Sequence, residues 1–168
     1  MTLTIEPATD ADTDAIADIY NHYILTSVAT FEEEALGVEE MGRRIDRVRA
    51  TSLPWLVARE PHVVGYCYAR PWRERAAYRF SVETSVYVAS AARRRGIGRE
   101  LYQRLLHQLR AKGVRSVIGG ISLPNPASIA LHEKLGFTKV AHFKSVGFKF
   151  NEWIDVGYWQ LRWASSTA

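Results

Sequence analysis

The feature that most constrains this chain is residues 93–99, Arg-Arg-Arg-Gly-Ile-Gly-Arg, which join a strand-like run to a strongly helical one. Gly96 and Gly98 lack the side chains that would keep a ligand away from the backbone. A helix that begins near Ile97 leaves its first N–H groups unpaired, and these donors favour an anion such as a phosphate. The alternative interpretation is a solvated basic turn in which Gly96 only eases a sharp corner between strand and helix.

The length and charge of the chain restrict its class. Its 168 residues predict one domain, residues 1–168, with a core of normal size. The formal net charge of +4 suits an anionic small ligand, and no known nucleic-acid module accompanies it, so we expect no nucleic-acid partner. The single cysteine, Cys67, lies in an apolar strand pattern, which indicates a core residue and excludes an internal disulfide framework. Neither a signal peptide nor a membrane span is visible, so we expect a cytoplasmic protein that does not associate with membranes.

Hydrophobic periodicity predicts strands and helices in the order β-α-α-β-β-β-α-β-α-β-β. The predicted strands cover residues 2–7, 55–59, 63–68, 78–88, 114–121, 137–146 and 153–163, with a link over residues 147–152. One predicted helix follows a cap at Thr9 or Asp10, and others cover residues 38–50, 97–112 and 124–135; residues 26–34 are expected to form a loop. This order predicts an α/β (mixed α+β) fold in which helices cover both faces of a mixed sheet.

The predicted strand over residues 78–88 carries an unexpected acid, Glu83, between valines. One face of the strand is formed by Phe80, Val82, Thr84, Val86 and Val88, and the other by Arg79, Ser81, Glu83, Ser85 and Tyr87. Burial of an unpaired carboxylate is costly, so we expect Glu83 to have either an ion-pair partner, such as a nearby arginine, or a functional role.

Three motifs occur in a specific order along the chain. They are Arg93-x-x-Gly96-x-Gly98, then Asn125 at the next helix start, then His132-Glu133-Lys134-Leu135-Gly136-Phe137. Together they resemble the GNAT superfamily of acyl-CoA-dependent N-acyltransferases over nearly the whole chain. The resemblance implies a central mixed, mostly antiparallel sheet with helices on both faces and splayed strands at the acetyl-CoA site. A dinucleotide fold would need a fuller glycine fingerprint, and a P-loop NTPase would need Gly-Lys-Ser/Thr, which is absent.

Further segments narrow the resemblance within that superfamily. Residues 20–23, 30–32, 78–88 and 131–137, and the closing Gly147-x-Lys149-Phe150-x-x-Trp153-x-Asp155, resemble the phosphinothricin and methionine sulfoximine N-acetyltransferases. The resemblance implies transfer of acetyl from acetyl-CoA to the α-amine of a small amino acid such as phosphinothricin, methionine sulfoximine or methionine sulfone. It also implies a homodimer and no metal. An aromatic-rich end of the chain is a plausible interface: Phe143, Phe148, Phe150 and Trp153.

The family's cofactor contacts carry over to matching positions. The resemblance implies that the strand backbone at Val86, Tyr87 and Val88 bonds the pantetheine arm, and that Asn125 contacts CoA. It places the pyrophosphate on the backbone N–H groups of the loop formed by Arg93, Arg94, Arg95, Gly96, Ile97, Gly98 and Arg99.

The family's acceptor contacts carry over in the same way. Glu83 resembles the general base, because a protonated α-amine must lose a proton before it attacks a thioester. Arg73 and Arg75 would hold a carboxylate or phosphinate bidentately, since the guanidinium fork matches that geometry. Phe31 and Trp72 would form pocket walls, and the remaining acceptor contacts are Glu74, Thr84 and Ser85. The alternatives are a solvated loop for the two arginines and ordinary packing for the two aromatic residues.

One position departs from the wider superfamily. Many members have Tyr where His132 stands, and that phenol is thought to protonate the departing thiolate. A charged His132 could donate in its place, whereas the alternative is a packing histidine, since a thiolate is stable enough to leave unaided near neutral pH.

Other functions remain open at this point. The acceptor could be a protein N-terminus or a polyamine, although arginines at positions 73 and 75 oppose a polyamine. The chain could also be a non-catalytic CoA-binding sensor or a nucleic-acid-binding module, but pure binding does not require Glu83.

Overall fold

The computed structural model describes residues 2–164, and its centre is a seven-stranded sheet in the order β1-β2-β3-β4-β5-β7-β6. The strands are β1 (Thr4–Pro7), β2 (Trp55–Arg59), β3 (Val63–Pro71), β4 (Ser81–Val88), β5 (Ser116–Ser122), β6 (Thr138–Lys149) and β7 (Glu152–Arg162). The helices are α1 (Thr13–Thr26), α2 (Val38–Ala50), α3 (Ile97–Ala111) and α4 (Pro126–Lys134). Of the expected loop over residues 26–34, Thr26 is the last residue of α1, and residues 27–34 lie in the irregular segment between α1 and α2.

Every neighbouring pair of strands is antiparallel except β4 and β5, which are parallel. Pairing between these two covers only Ser81–Glu83 against Ser116–Ile118, although both strands continue beyond it. The strands therefore separate from Thr84 onwards. The predicted mixed, mostly antiparallel sheet with splayed strands is confirmed.

Helices cover both faces of the sheet, as predicted. On one face, α3 packs Leu101, Leu105 and Leu109 against Val82 and Val117. On the other face, α1 and α2 pack against the sheet through apolar and aromatic side chains, among them Ile16, Tyr20, Ile24, Met41 and Ile45. The alternation along β4 sends Val86 and Val88 to the α3–α4 face and Tyr87 to the α1–α2 face. Cys67 is fully buried, as expected for a core residue.

Three predicted boundaries are wrong. Strand β3 continues past residue 68 to Pro71, because Ala69, Arg70 and Pro71 pair with β4. Strand β4 begins at Ser81, not at residue 78, because Ala76–Tyr78 form a 3₁₀ turn whose local bonds, Tyr78 N–H to Arg75 O and Arg79 N–H to Ala76 O, replace ladder pairing. The link between the last strands is a two-residue turn, Phe150 and Asn151, whose φ values of 50° and 63° suit a tight hairpin. Glycine at position 147 therefore lies within β6 and does not mark a loop.

Among residues 2–164, no helix combines the length and the apolar character needed to cross a bilayer.

Candidate active site

A cavity of about 860 Å³ occupies the gap between the separating ends of β4 and β5. It runs from the end of α1 to the start of α4. Of the predicted site residues, it is lined by Thr84, Ser85, Val86, Tyr87, Val88, Arg93, Arg94, Gly96, Ile97, Gly98, Arg99, Asn125 and His132. The predicted cofactor residues are thus brought together, apart from Arg95.

The backbone of β4 presents alternate residues to this gap. The N–H of Trp72 bonds Ser81 O at 3.1 Å and the N–H of Ala89 bonds Val64 O at 2.8 Å, so the odd-numbered residues of β4 pair with β3. In an antiparallel ladder both polar groups of a residue point to the same side, which leaves Val86 and Val88 facing the gap. Val88 O accepts a 2.7 Å bond from the Tyr23 hydroxyl. The edge is therefore oriented to bond an extended chain.

The glycine loop ends in an anion-binding helix start. Gly96 caps α3 with φ +82°, and a Cβ there would meet nothing within 4 Å, so the conformation and not the space requires glycine. The N–H groups of Arg99 and Glu100 both bond Gly96 O, while no backbone carbonyl among residues 2–164 accepts from Ile97 or Gly98. Ile97 and Gly98, which carry these unpaired N–H groups, both line the cavity, so a helix start suited to an anion lies at its wall.

The arginines of this loop have separate contacts. Arg93 lies over the Tyr23 ring, 5.1 Å from its centroid, and Arg94 adopts φ 63°. Arg95 pairs with Glu60 and does not line the cavity. Backbone donors, with Arg93 and Arg94 beside them, are therefore the groups that can hold an anion here.

Asn125 caps α4 and also lines the cavity. Its Oδ1 accepts from the N–H of Ser128 at 3.1 Å, and Pro126 occupies the first helical position. With Oδ1 committed to the cap, the side-chain NH₂ group is the part of Asn125 able to donate to a ligand.

His132 is buried in a chain of hydrogen bonds. Its Nδ1 donates to Ser128 O at 2.8 Å, because a carbonyl can only accept, so Nε2 accepts from the Tyr102 hydroxyl at 3.0 Å. Thr84 Oγ1 lies 3.1 Å from the same hydroxyl. Burial lowers the pKa of His132 and raises that of Tyr102. The imidazole is therefore neutral near pH 7, which does not support donation by a charged His132.

Glu83 forms an ion pair with Arg70, which is one of the two outcomes expected for this acid. Its Oε2 accepts from Arg70 Nε at 2.9 Å and Nη2 at 2.5 Å, and its side chain is 18% exposed. Glu83 does not line the cavity itself. However, a Cβ placed on Gly120, which does line it, would lie 3.5 Å from Glu83 Oε1. Glu83 Oε1 thus lies beside Gly120, which lines the gap, and the Glu83 side chain is on the α1–α2 face.

The predicted acceptor residues outside β4 lie away from the cavity lining. The Arg73 guanidinium stacks 4.3 Å from the centroid of Trp72, whose ring meets Tyr158 edge-on at 5.8 Å. Glu74 and Arg75 are exposed. Phe31 is packed so closely on the backbone of Gly147 that a Cβ there would collide with its ring. Trp72 contacts Tyr158, and both Tyr158 and Glu83 lie beside Gly120, whereas the contact shown for Phe31 is with Gly147.

Sequence reasoning missed Arg70, Tyr102 and the cavity-lining segment Ser27, Val28 and Ala29. Arg70 lies opposite Glu83 in the β3–β4 register, so counting pairs along the hairpin could have found it. Tyr102 gave a weaker signal, a hydroxyl beside the buried stripe of α3. The segment after α1 gave none, because its contacts come from distant strands.

Comparison with known proteins identifies an acetyltransferase family. The family model described as "Acetyltransferase (GNAT) domain" matches residues 5–157. A phosphinothricin N-acetyltransferase from Streptomyces viridochromogenes is 44% identical over 157 residues, which are 93% of this chain and 85% of the relative. An L-methionine sulfoximine/L-methionine sulfone acetyltransferase from Salmonella typhimurium is 37% identical, covering 95% of this chain and 94% of the relative.

Solved structures extend the likeness to the fold. A GNAT superfamily phosphinothricin acetyltransferase from Sinorhizobium meliloti, in complex with acetyl-CoA, superposes with a TM-score of 0.95 at 38% identity, over 99% of this chain and 91% of that one. A ribosomal-protein-alanine N-acetyltransferase from Brucella melitensis superposes with a TM-score of 0.93 at 39% identity, over 95% of this chain and 99% of that one.

Proposed function

This chain belongs to the GNAT acetyltransferase family and is an acetyl-CoA-dependent N-acetyltransferase; we propose that its acceptor is the α-amine of a small amino-acid analogue. Phosphinothricin, methionine sulfoximine and methionine sulfone are the acceptors to test first, because relatives that cover nearly all of the chain are named for them. The observation that carries the proposal is the cavity between β4 and β5. It is lined by a helix start with unpaired N–H groups and by Gly120, on which a Cβ would lie 3.5 Å from Glu83 Oε1.

The proposed chemistry divides between the two ends of the cavity. The N–H groups of Ile97 and Gly98 hold the pyrophosphate, and the gap-facing groups of Val86 and Val88 bond the pantetheine as a strand would. Acetyl-CoA supplies an acetyl thioester between them. Glu83 removes one proton from the acceptor ammonium, directly or through a water, so that the nitrogen lone pair forms the C–N bond as the C–S bond breaks. The nitrogen then loses its second proton to the departing thiolate, directly or through water, which leaves a neutral amide and the thiol of CoA.

The thiol leaves as a thiolate in this scheme. A thiolate is a stable leaving group near neutral pH, and His132 is neutral with its Nδ1 proton held by Ser128 O. His132 therefore orders Tyr102 and α4 beside the thioester end and donates no proton.

Acceptor recognition is assigned to the surface around Glu83. Arg73 and Arg75 are proposed to bind the carboxylate or the tetrahedral group of the acceptor, with Trp72 and Phe31 as walls and Glu74, Thr84 and Ser85 nearby. Two contacts support this assignment. The Arg73 guanidinium stacks on the Trp72 ring, and that ring contacts Tyr158, which lies beside Gly120 together with Glu83.

We also propose a cytoplasmic homodimer. Its interface would use the exposed apolar side chains of the β6–β7 hairpin, which are Phe143, Val146, Phe148, Phe150 and Trp153. Sedimentation of the wild type and of Trp153→Glu tests this, with dimers expected only for the wild type.

A second acceptor class is a protein N-terminus, favoured by the likeness to the Brucella melitensis structure. A thiol-release assay with acetyl-CoA separates the two. Phosphinothricin, methionine sulfoximine and methionine sulfone are compared with a peptide that begins with alanine. Turnover of at least one amino-acid analogue above buffer, and no turnover of the peptide, is expected. The reverse result replaces the proposed acceptor with a protein N-terminus.

A further inference from the structure

Lys149, the last residue of β6, is a buried ammonium whose hydrogen bonds to the described residues all go to carbonyls, and its Nζ also lies 4.9 Å from the centroid of the Phe150 ring. Its relative exposure is 1%, and Nζ donates to the carbonyls of Ile24, Ser27 and Thr30 at 2.7, 2.8 and 2.8 Å. Among residues 2–164, no carboxylate oxygen lies within 4.0 Å of it. Three acceptors require three N–H donors, which an ammonium has and a neutral amine lacks. The geometry therefore matches charged Lys149.

The three carbonyls belong to the end of α1 and to the segment that follows, residues 27–30, here called the wall loop. Ile24 is in the last turn of α1, where carbonyls lack helical partners and the helix dipole favours a cation. Ser27, Val28 and Ala29 of the wall loop line the cavity. Lys149 thus holds a cavity wall by its backbone, from a strand more than a hundred residues away in sequence.

A second contact fixes the same loop from β5. Ser122 Oγ donates to Val28 O, and Ser122 itself lines the cavity. Beyond the loop, the Phe31 ring rests on Gly147, two residues before Lys149. The wall loop is therefore held between the β6 hairpin and the end of β5. The contacts of Lys149 and Gly147 in the β6–β7 hairpin thus fix the position of the wall loop relative to the gap.

The wall loop lies on the acceptor side of the cavity. It follows α1, which packs on the α1–α2 face, the face to which β4 directs Tyr87 and Glu83. The glycine loop starts α3 on the opposite face. A shift of the wall loop therefore changes the space around the acceptor and leaves the pyrophosphate end in place.

We propose that Lys149 is a positioning residue that fixes the acceptor-side wall of the cavity through the wall loop. The proposal rests on the proposed function, because Glu83 defines the acceptor side. Without the ammonium, three carbonyls lose their partners, and the loop must move toward water to satisfy them. Burial lowers the pKa of Lys149, and the charges of Glu32 and Glu33 oppose that effect.

The test compares Lys149→Met, Lys149→Gln and the control Lys144→Met, an exposed lysine of the same strand. For Lys149→Met we expect the acceptor KM to rise about tenfold or more, with the acetyl-CoA Kd within twofold of wild type. Glutamine can donate to two of the three carbonyls, so its acceptor KM should lie between wild type and Met. Lys144→Met should match wild type. All assays run at a temperature where circular dichroism shows each variant folded.

Hydrogen exchange supplies a readout that needs no acceptor. In Lys149→Met, the peptide covering residues 27–31 should exchange about tenfold faster, while the peptide covering residues 93–99 exchanges as in wild type. A lower Tm with unchanged acceptor KM and unchanged wall-loop exchange would overturn the proposal, as would an equal loss in acceptor KM and acetyl-CoA Kd. If the proposed function is wrong, the wild type turns over none of the amino-acid analogues. In that case, the exchange rate of the peptide covering residues 27–31 in Lys149→Met still decides whether Lys149 fixes the wall loop.

Discussion

The two sides of the cavity between β4 and β5 are built from different groups. On the α3–α4 side, the ligand-facing donors are backbone N–H groups at Ile97 and Gly98, and the buried His132 is neutral. On the α1–α2 side, charged side chains dominate: Glu83 with Arg70, and Lys149 under the wall loop. The position of a backbone donor depends on the conformation of the chain, so a substitution that keeps the conformation leaves the donor in place. A paired charge depends on its partner, so the loss of either side chain disrupts the pair. Substitutions on the two sides should therefore fail in different ways.

The strongest test of the acceptor side is Glu83→Gln. If Glu83 is the base, kcat/KM for the acceptor should fall about 10²- to 10⁴-fold, the usual contribution of such a group. The acetyl-CoA Kd, measured by calorimetry, should stay within twofold because the glycine loop is untouched. Glu39→Gln, an exposed acid on α2, is the control. A Glu83→Gln enzyme near the wild-type rate would remove the base assignment.

The matching test on the cofactor side is Gly96→Val. Valine is strained at φ +82°, and a cost of about 1–3 kcal/mol would weaken acetyl-CoA binding about 5- to 150-fold if it distorts the loop. Gly113→Val controls for strain alone, because Gly113 has φ +81° and lies outside the cavity lining. Arg94→Ala should weaken binding less than Gly96→Val. The opposite order in titration calorimetry would mean that side-chain charge, and not the backbone, holds the anion.

The neutral state of His132 predicts a pH effect on stability. Its pKa is lowered in the folded protein, so the unfolded chain binds more protons as pH falls below about 6.5. The free energy of unfolding should therefore drop on acidification, by about 1.4 kcal/mol for each unit of pKa difference. Urea denaturation at pH 7.5, 6.5 and 5.5 measures this. His132→Gln should flatten the profile, and His107→Gln, an exposed histidine of α3, should not. Identical profiles for both variants would contradict a neutral His132.

The smallest expected effect tests the exposed arginines. Exposed charge contacts contribute roughly 0.2–1 kcal/mol, so Arg73→Ala and Arg75→Ala should each raise the acceptor KM by up to about fivefold. The acetyl-CoA Kd should not change. Arg79→Ala, an exposed arginine that follows the same loop, is the control. Equal increases in the acceptor KM at positions 73, 75 and 79 would show that the acceptor responds to overall positive charge and makes no specific contact with Arg73 or Arg75.

The contrast between local and long-range contacts also explains which elements of the fold could be predicted from the sequence. Helices α1 to α3, strand β2 and the β2–β3 turn follow local periodicity and turn residues, and their positions were predicted closely. The start of the strand predicted from residue 78 is wrong because apolar alternation already begins at Tyr78, although Tyr78 and Arg79 make local bonds to Arg75 O and Ala76 O in a 3₁₀ turn.

The site divides in the same way. The glycine loop and Asn125 were predictable because a backbone site requires glycine and a helix cap at fixed spacings. Arg70, Tyr102 and the role of Lys149 depend on strand register and on contacts between distant segments, so no local pattern marks them.

The short β4–β5 pairing has a consequence for the whole molecule. Past Glu83 and Ile118, the two strands leave edges that face each other across the gap, and no strand formed by residues 2–164 pairs with them there. A ligand that bonds them completes an interrupted ladder, so it acts as a removable structural element as well as a reactant. Its free concentration then sets part of the folding free energy, about 2.7 kcal/mol at one hundred times Kd. In a cell, the supply of the acyl donor would thus help to govern how long this protein persists.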